Sequence, residues 1–592
     1  MEDIRRTFDI LRYIEKYNHE KALSFKKNGI WQSYSASEYI EKVNQFSLGL
    51  IFKGFKKGEK IATVIENRPE WNFIDFGMSQ VGCVHVSIYP TISQREYEHI
   101  LSHSDARILI ISSKELFDKI APIAKEISNI EEIYTIDQVY GVKNWHEILD
   151  LGQKTENPVL TLNHRMQEVE PDDLLTLIYT SGTTGLSKGV MLSHNNVVSN
   201  IKIARGFVPD LHPGERALSF LPLCHILERV GNYLWQYIGL QIFYPESIET
   251  LGDNMREIKV NTFITVPRIF EKVYDKIINK GRTLKGIKKV LFFWAVKLGD
   301  RFDPDPAKRS WWYNFRLKIA RKLIFSKWQE ALGGELKAVI SGGAALQPRL
   351  ARIFWAAGIV VQEGYGLTET SPLISANRGS FPGVKFGSVG IIPEGVEVKI
   401  AEDGEILARG ENVMIGYYKD PELTMKAIDR EGWFYTGDIG HVDNDNILFI
   451  TDRKKEIFKL SGGKYVAPQK VENFLKESQF IDQAMVVGEN QKYAAAIIIP
   501  DFEFLTKWCE LHEVKFTDND DLIKNHQVID RIEKEVEKQN SHMDQVEKVK
   551  VFKLVNDNWN PDNGLLTPTQ KLKRKQLVEK YRASISELYP AT

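Results

Sequence analysis

With 592 residues, the chain is too long for one hydrophobic core and calls for two or more domains. Its composition, 43% hydrophobic and 27% charged, is that of a globular protein, and a formal net charge of -1 offers no basic excess to a nucleic acid, so no nucleic-acid partner is expected. The three cysteines, Cys83, Cys224 and Cys509, stand far apart without a CxxC, which argues against a disulfide framework or zinc site and for a reducing, cytoplasmic location.

The opening residues Met1-Glu2-Asp3-Ile4-Arg5-Arg6 lead into no apolar h-region, so no secretory signal is expected there. No apolar run approaches the ~20 residues needed to cross a bilayer. A membrane, if met, would be met from its surface. From about 38 to 450, helical patterns alternate with short apolar runs. A stretch near 38–53 precedes Ile61–Ile65, another at 69–82 precedes Val84–Ile88, and a third at 94–103 precedes Ile108–Ile111. Such alternation predicts largely parallel sheets covered by helices. Segment 172–179 is a further strand candidate, running straight into a Gly/Thr/Ser loop.

Segment 280–337 carries 15 lysines and arginines against five acids, interleaved with Phe292, Phe293, Trp294, Trp311, Trp312, Tyr313, Phe315, Phe325 and Trp328. It reads either as a helical hairpin on the body or as an interfacial element for anionic lipid. After about 450 the pattern becomes that of a small α+β domain, with strands near 483–489, 493–500 and 549–555 and charged helices near 469–477 and 528–547. The fold class is therefore α/β. A large N-terminal domain (1–451) has mainly parallel sheets, and a small mobile α+β C-terminal domain (452–592) follows the charged linker at 452–456.

The strongest chemical signal is Tyr179-Thr180-Ser181-Gly182-Thr183-Thr184-Gly185-Leu186-Ser187-Lys188-Gly189-Val190. Small residues let backbone N–H groups and hydroxyls close on an anion, and lysine adds charge. Ser187 stands where a Walker A loop needs glycine, so a P-loop is excluded.

This loop resembles the phosphate loop of the adenylate-forming superfamily, which includes acyl-CoA synthetases, peptide-synthetase adenylation domains and luciferases. Further motifs of that family follow in order. They are Phe220-Leu221-Pro222-Leu223-Cys224-His225, Ser341-Gly342-Gly343-Ala344-Ala345-Leu346, Glu363 to Thr370, Arg409-Gly410 through Gly416-Tyr417-Tyr418, Trp433 to Asp438, Asp452 to Glu456, and Pro568 to Arg574. The resemblance covers nearly the whole chain.

It implies the following roles. Thr180, Ser181, Gly182, Thr183, Thr184 and Lys188 hold the β/γ-phosphates of ATP; Gly343, Ala344, Tyr365 and Gly366 border the adenine; Thr368 donates to the α-phosphate; Glu369 holds Mg²⁺. Asp438 accepts the ribose hydroxyls, Arg453 adds a ribose or phosphate contact, and Lys464 reaches a phosphate. Lys571 acts as a mobile catalytic cation, with Gln570 where the family often has glycine. Lys455 is the pivot, and Leu460–Val466 lines a route for coenzyme A. His225 lies at the edge of the acyl site, although a lone His beside apolar residues is also an ordinary core residue. Some bacterial long-chain enzymes place a gate tryptophan where this chain has Arg229, which puts that gate in doubt.

Val266 to Val273, Leu227-Glu228-Arg229-Val230 and Leu565 to Thr569 resemble long-chain acyl-CoA synthetases. The expected reaction joins a long-chain fatty acid to coenzyme A with ATP and Mg²⁺. The alternatives are a ligase loading an acyl carrier protein and a catalytically silent lipid-binding scaffold. Oligomeric state is left open, a homodimer included.

Overall fold

The computed structural model describes residues 3–180, 187–541, 543–560, 563–567 and 571–589. Two compact units emerge. The larger takes residues 1–398, 408–434 and 444–448; the smaller takes 399–407, 435–443 and 449–592.

The first sheet of the larger unit contains β1 (Lys60–Val64), β2 (Val84–Ser87), β3 (Ala106–Ile111), β4 (Leu174–Thr180) and β5 (Lys188–Ser193). β4, β2, β1 and β3 lie side by side and parallel, and β5 turns back antiparallel to β4. The Gly/Thr/Ser loop thus joins two hydrogen-bonded neighbours. A short strand, Gly416–Tyr417, pairs antiparallel with β5. The second sheet contains β6 (Arg216–Leu218), β7 (Gln241–Tyr244), β8 (Thr262–Thr265), β9 (Ala338–Ser341) and β10 (Val361–Gly366), parallel throughout in the order β7-β6-β8-β9-β10. The predicted parallel sheets are present, with antiparallel strands at their margins.

Helices α1 (Pro69–Gln80) and α3 (Ile226–Ile238) are buried almost all round. They share one core with apolar residues of both sheets, the expected place for helices without a polar face. α2 (Gln94–His103) starts at a reciprocal cap in which Ser93 and Glu96 bond each other's backbone N–H. α3 ends at Gly239, whose φ of 89° is left-handed; a Cβ there would lie 2.3 Å from the Tyr17 ring. The basic-aromatic segment forms α4 (Gly286–Gly299) and α5 (Trp311–Ala320), packed on a second core with β8 and β9.

β11 (Phe434–Val442) and β12 (Ile447–Arg453) lie mostly in the smaller unit, with Phe434, Ile447 and Leu448 counting with the larger, and the smaller unit continues through α6 (Pro468–Leu475), β13 (Ile481–Val487), β14 (Ala494–Pro500), α7 (His526–Asn540) and β15 (Val549–Leu554). β14 is central, antiparallel to β13 and parallel to β15. The charged stretch read as a linker begins inside a strand. Asp452 and Arg453 close β12, and Asp452 is buried, with burial pushing its carboxyl up to about 7. Among the described residues no helix is long and apolar enough to cross a membrane. All three cysteines are buried and free.

Candidate active site

The predicted site residues fall into two groups, one in each unit. In the larger unit, β4 ends at Thr180 and β5 starts at Lys188; Ser181, Gly182, Thr183 and Thr184 lie outside the described residues. Lys188 Nζ sits 2.9 Å from Glu369 Oε1. The Tyr417 hydroxyl donates to the same carboxylate oxygen at 2.9 Å and accepts from Lys188. Glu369 rides on the 3₁₀ turn Thr368–Thr370, which follows β10. Three distant parts of the sequence therefore meet at one carboxylate. Burial pushes the Glu369 carboxyl up, but the Lys188 ammonium and the hydrogen bonds outweigh it and hold the group below its usual range, hence ionised. Thr180 Oγ1 is buried without a hydrogen-bond partner among the described residues. A buried hydroxyl in that state, next to a lysine at the mouth of a Gly/Thr/Ser loop, fits an anionic ligand.

Tyr417 was quoted in a motif but given no role by sequence reasoning. Two histidines were missed altogether. His99 Nε2 donates to the Ser187 carbonyl at 2.7 Å, and His103 Nδ1 bonds the Tyr179 hydroxyl at 2.8 Å. Their rings stack at 5.3 Å. One turn of α2 thus touches both ends of the loop. Burial, then the charges of His99 and Lys419, push His103 below the usual imidazole range. The i, i+4 spacing of the two histidines on a predicted helix was the available signal.

The expected adenine loop follows β9. Gly343 has φ 82°, and the Leu346 N–H donates to Glu363 Oε1 at 3.1 Å. Glu363 is buried on β10, and burial pushes its carboxyl up to about 8. Tyr365 is also buried on β10. Gly366 cannot carry a side chain, because a Cβ would come 1.7 Å from the Pro372 carbonyl oxygen. Ala344 lies exposed in the turn between Gly343 and Leu346. Leu227 lies against this loop, 3.0 Å from where a Cβ of Gly342 would stand. His225 caps α3, its Nδ1 accepting from the Leu227 N–H at 3.1 Å, and its ring meets Tyr89.

Arg229, the residue standing in the expected gate position, is wholly buried and faces Asp75. It donates to Thr176 Oγ1 at 2.7 Å and to the Tyr233 hydroxyl at 3.2 Å. Tyr233 in turn donates to Asp75, and His85 Nδ1 donates to Asp75 at 2.6 Å while accepting from Thr63 through Nε2 at 2.7 Å. Arg229 is a core cation, not a gate.

In the smaller unit, Arg453 Nε lies 3.0 Å from Asp438 Oδ1, linking β12 to β11. Asp438 is buried. The two residues expected to share the ribose therefore face one another. Lys464 is exposed on the turn between Leu460 and Tyr465, beside Gly463 at φ 83°. Lys571 is held by backbone, its N–H donating to Thr567 Oγ1 at 3.0 Å and its carbonyl accepting from the Thr567 N–H at 2.8 Å. Arg574, at the end of the motif that carries Lys571, is largely buried, 2.7 Å from Glu472 and 3.3 Å from Glu456.

Among the described residues no cluster of three or more His, Cys, Asp or Glu could cage a metal. Glu369 is a single hard carboxylate, the kind of protein ligand that suits Mg²⁺ held mainly by phosphates and water.

An α/β body with a phosphate-type loop between two strands, a lysine–glutamate pair at its mouth and a following smaller domain defines an adenylate-forming enzyme. The chain belongs to the AMP-binding enzyme family: the family described as AMP-binding enzyme matches residues 11–418, and AMP-binding enzyme C-terminal domain matches 455–592. It is 33% identical to the long-chain-fatty-acid–CoA ligase FadD15 of Mycobacterium bovis, over 95% of this chain and 93% of that protein. It is 30% identical to long-chain-fatty-acid–CoA ligase 5 of Rattus norvegicus, over 94% and 84% respectively. Among solved structures, the A domain of a carboxylic acid reductase from Segniliparus rugosus in complex with AMP aligns with TM-score 0.74 at 20% identity, covering 98% of this chain and 94% of that one. The anthranilate CoA ligase AuaEII, in complex with anthranoyl-AMP, aligns with TM-score 0.72 at 19% identity, covering 98% of each. These two likenesses bear on the fold.

Proposed function

We propose that the protein activates a long-chain fatty acid with ATP, releasing pyrophosphate and forming an acyl-adenylate, and then passes the acyl group to the thiol of coenzyme A, releasing AMP. The observation that carries this reading is the Lys188–Glu369–Tyr417 cluster beside the loop between β4 and β5. Attack of a carboxylate on the α-phosphate brings anions together, so cations must offset the charge as it develops. Lys188 and Glu369 neutralise one another in the structure. With ATP, Lys188 would turn to the phosphates and Glu369 would hold Mg²⁺, which supplies electrophilic charge to the phosphate oxygens. Thr180 and Thr368 would donate hydroxyls, and Tyr365 with the Gly343–Ala344 turn would border the adenine. Asp438 would exchange part of its bond with Arg453 for the ribose hydroxyls. Lys571 would stabilise the first half-reaction, and the Lys464 turn would serve the second, with residues 452–456 as hinge and Lys455 as pivot. The full-length relatives named for long-chain fatty acids support the acyl chain class.

A thioesterification assay across acyl-chain lengths tests it. Palmitate with ATP, Mg²⁺ and coenzyme A should yield palmitoyl-CoA, AMP and pyrophosphate. Transfer only to an acyl carrier protein would replace the acceptor, and absence of pyrophosphate release with every acid would defeat the reading. Lys571→Ala should lose adenylate formation while still converting supplied acyl-adenylate to thioester.

A further inference from the structure

Helix α5 and the π-turn that continues it, Arg321–Phe325, are apolar on two sides. One side is ordinary: Leu317, Ala320 and Phe325 are buried in the second core, with Tyr313 and Ile324 against it. The other side faces solvent. Trp311 is 76% exposed, Trp312 56% and Phe315 47%, and Ile319 and Leu323 are exposed after them. Positions 311, 315, 319 and 323 repeat at four residues, so they form one ridge, about 18 Å long at the helical rise. Its aromatic end is ordered by stacking, with centroids 5.9 Å apart for Trp311 and Phe315 and 5.6 Å for Trp312 and Phe315. A surface helix needs one apolar face to join a core, and a second one marks an interaction site.

Helix α4 packs alongside α5. The Tyr313 hydroxyl donates to the Leu298 carbonyl at 2.9 Å, and the Arg316 guanidinium lies 5.5 Å from the Trp294 ring centre. These contacts set α4 and α5 antiparallel. The Leu323 end of the ridge therefore runs towards the first turns of α4, where Ile287 and Val290 are exposed among Lys285, Lys288 and Lys289. No acid occurs in residues 281–299 or 306–329. In the connecting segment, Asp300 is 3.0 Å from Arg349, and Asp303 is 4.0 Å from Lys308. Lys318 and Lys322 flank the ridge and are exposed.

We propose that this face seats the protein in the surface of an anionic lipid bilayer, with the indoles and Phe315 at the headgroup boundary and the lysines on the headgroups. Three features select that occupant. Tryptophan and lysine together suit the interface, where one end of a side chain is apolar and the other wet. The cationic border complements anionic headgroups. A second copy of the chain would set the same lysines against each other across a two-fold axis. The inference is independent of the acyl chemistry proposed above.

The test is sedimentation of the full-length protein with vesicles of phosphatidylcholine alone or mixed with phosphatidylglycerol. Binding is expected to the mixed vesicles only and should fall as salt rises. Lys318→Glu with Lys322→Glu should lower the partition coefficient by at least about tenfold, and Trp311→Ser with Phe315→Ser by a similar factor. Thermal melts of both variants should match the parent, since the altered side chains are exposed. The charge variant alone decides the matter if the aromatic one fails to fold. Equal binding to both vesicle types, binding to neither, or unchanged binding in the charge variant would overturn the proposal. So would a lipid-free dimer that the charge variant dissolves, which would give the face to a second copy.

Discussion

Asp75 with Arg229 and Glu369 with Lys188 are both carboxylate–cation pairs in the larger unit, but they differ in what remains to be satisfied. Arg229 and Asp75 are fully shielded from water, and His85, Tyr233 and Thr176 complete their bonding. Lys188 keeps 28% of its side-chain surface, and among the described residues the hydroxyl of its neighbour Thr180 has no hydrogen-bond partner. A pair with every bond filled can only hold the fold together. A pair at a loop mouth, with a spare donor beside it, can exchange partners. Both carboxylates are held below their usual range against the upward push of burial, chiefly by the facing cation. The pKa direction therefore does not separate the two pairs; their exposure does.

The sharpest test removes each cation. Arg229→Met should cost about 3–5 kcal/mol in urea unfolding, because it strands a buried charge. Adding Asp75→Leu should restore much of the loss, and failure to do so would mean the pair is more than self-compensating charge. Lys188→Met should instead lower kcat/KM for ATP by about 100- to 1000-fold with a much smaller shift in unfolding midpoint. If Arg229→Met mainly impairs turnover while Lys188→Met mainly unfolds the protein, the comparison is broken.

Acid distinguishes the two places next. Burial, reinforced by the Arg229 charge, pushes His85 below the usual imidazole range despite its bond to Asp75. The unfolded chain therefore takes up a proton near pH 6.5 that the folded chain refuses, so stability should fall as pH drops below about 6.5, by at most about 1.4 kcal/mol per pH unit for one histidine. His194, pushed by burial to about 4, adds a slope of the same sign. Unfolding measured from pH 7 to pH 5 should show a shallower slope in His85→Gln and an unchanged slope in Lys188→Met.

The smallest effects come from a matched pair of hydroxyl deletions. Tyr233→Phe should lower stability by about 1–2 kcal/mol and leave KM for ATP alone. Tyr417→Phe should change the Mg²⁺ concentration that gives half-maximal rate, with a smaller stability loss. Identical behaviour of the two variants would remove the distinction between a filled pair and an exchangeable one.

Much of this protein was legible without coordinates. The alternation of apolar runs at 61–65, 84–88 and 108–111 with helical patterns specified parallel strands and their covering helices, because backbone pairing and local burial follow from side-chain period. The Gly/Thr/Ser loop stood out by its own residue types, whereas Glu369 and Asp438 stood out only through the motifs that resemble a family; the structure sets Lys188 against Glu369 and Arg453 against Asp438, and residues 181–184 lie outside the described residues. The partners were not legible. Nothing near Glu369 in sequence names Lys188 or Tyr417, nothing in Leu227–Val230 says that Arg229 is a core cation facing Asp75, and the run from Lys571 to Lys575 conceals a buried Arg574 bound to Glu472 and Glu456. Nor did composition separate the buried from the exposed aromatics of 280–337. Only the packing of α5 and of the following helix Ser326–Ala331 on the second core set Trp328 inward and Trp311 outward. The hydrophobic drive is non-directional and written in local pattern, whereas a charge or a ring is assigned its role by whichever distant group the tertiary structure sets against it.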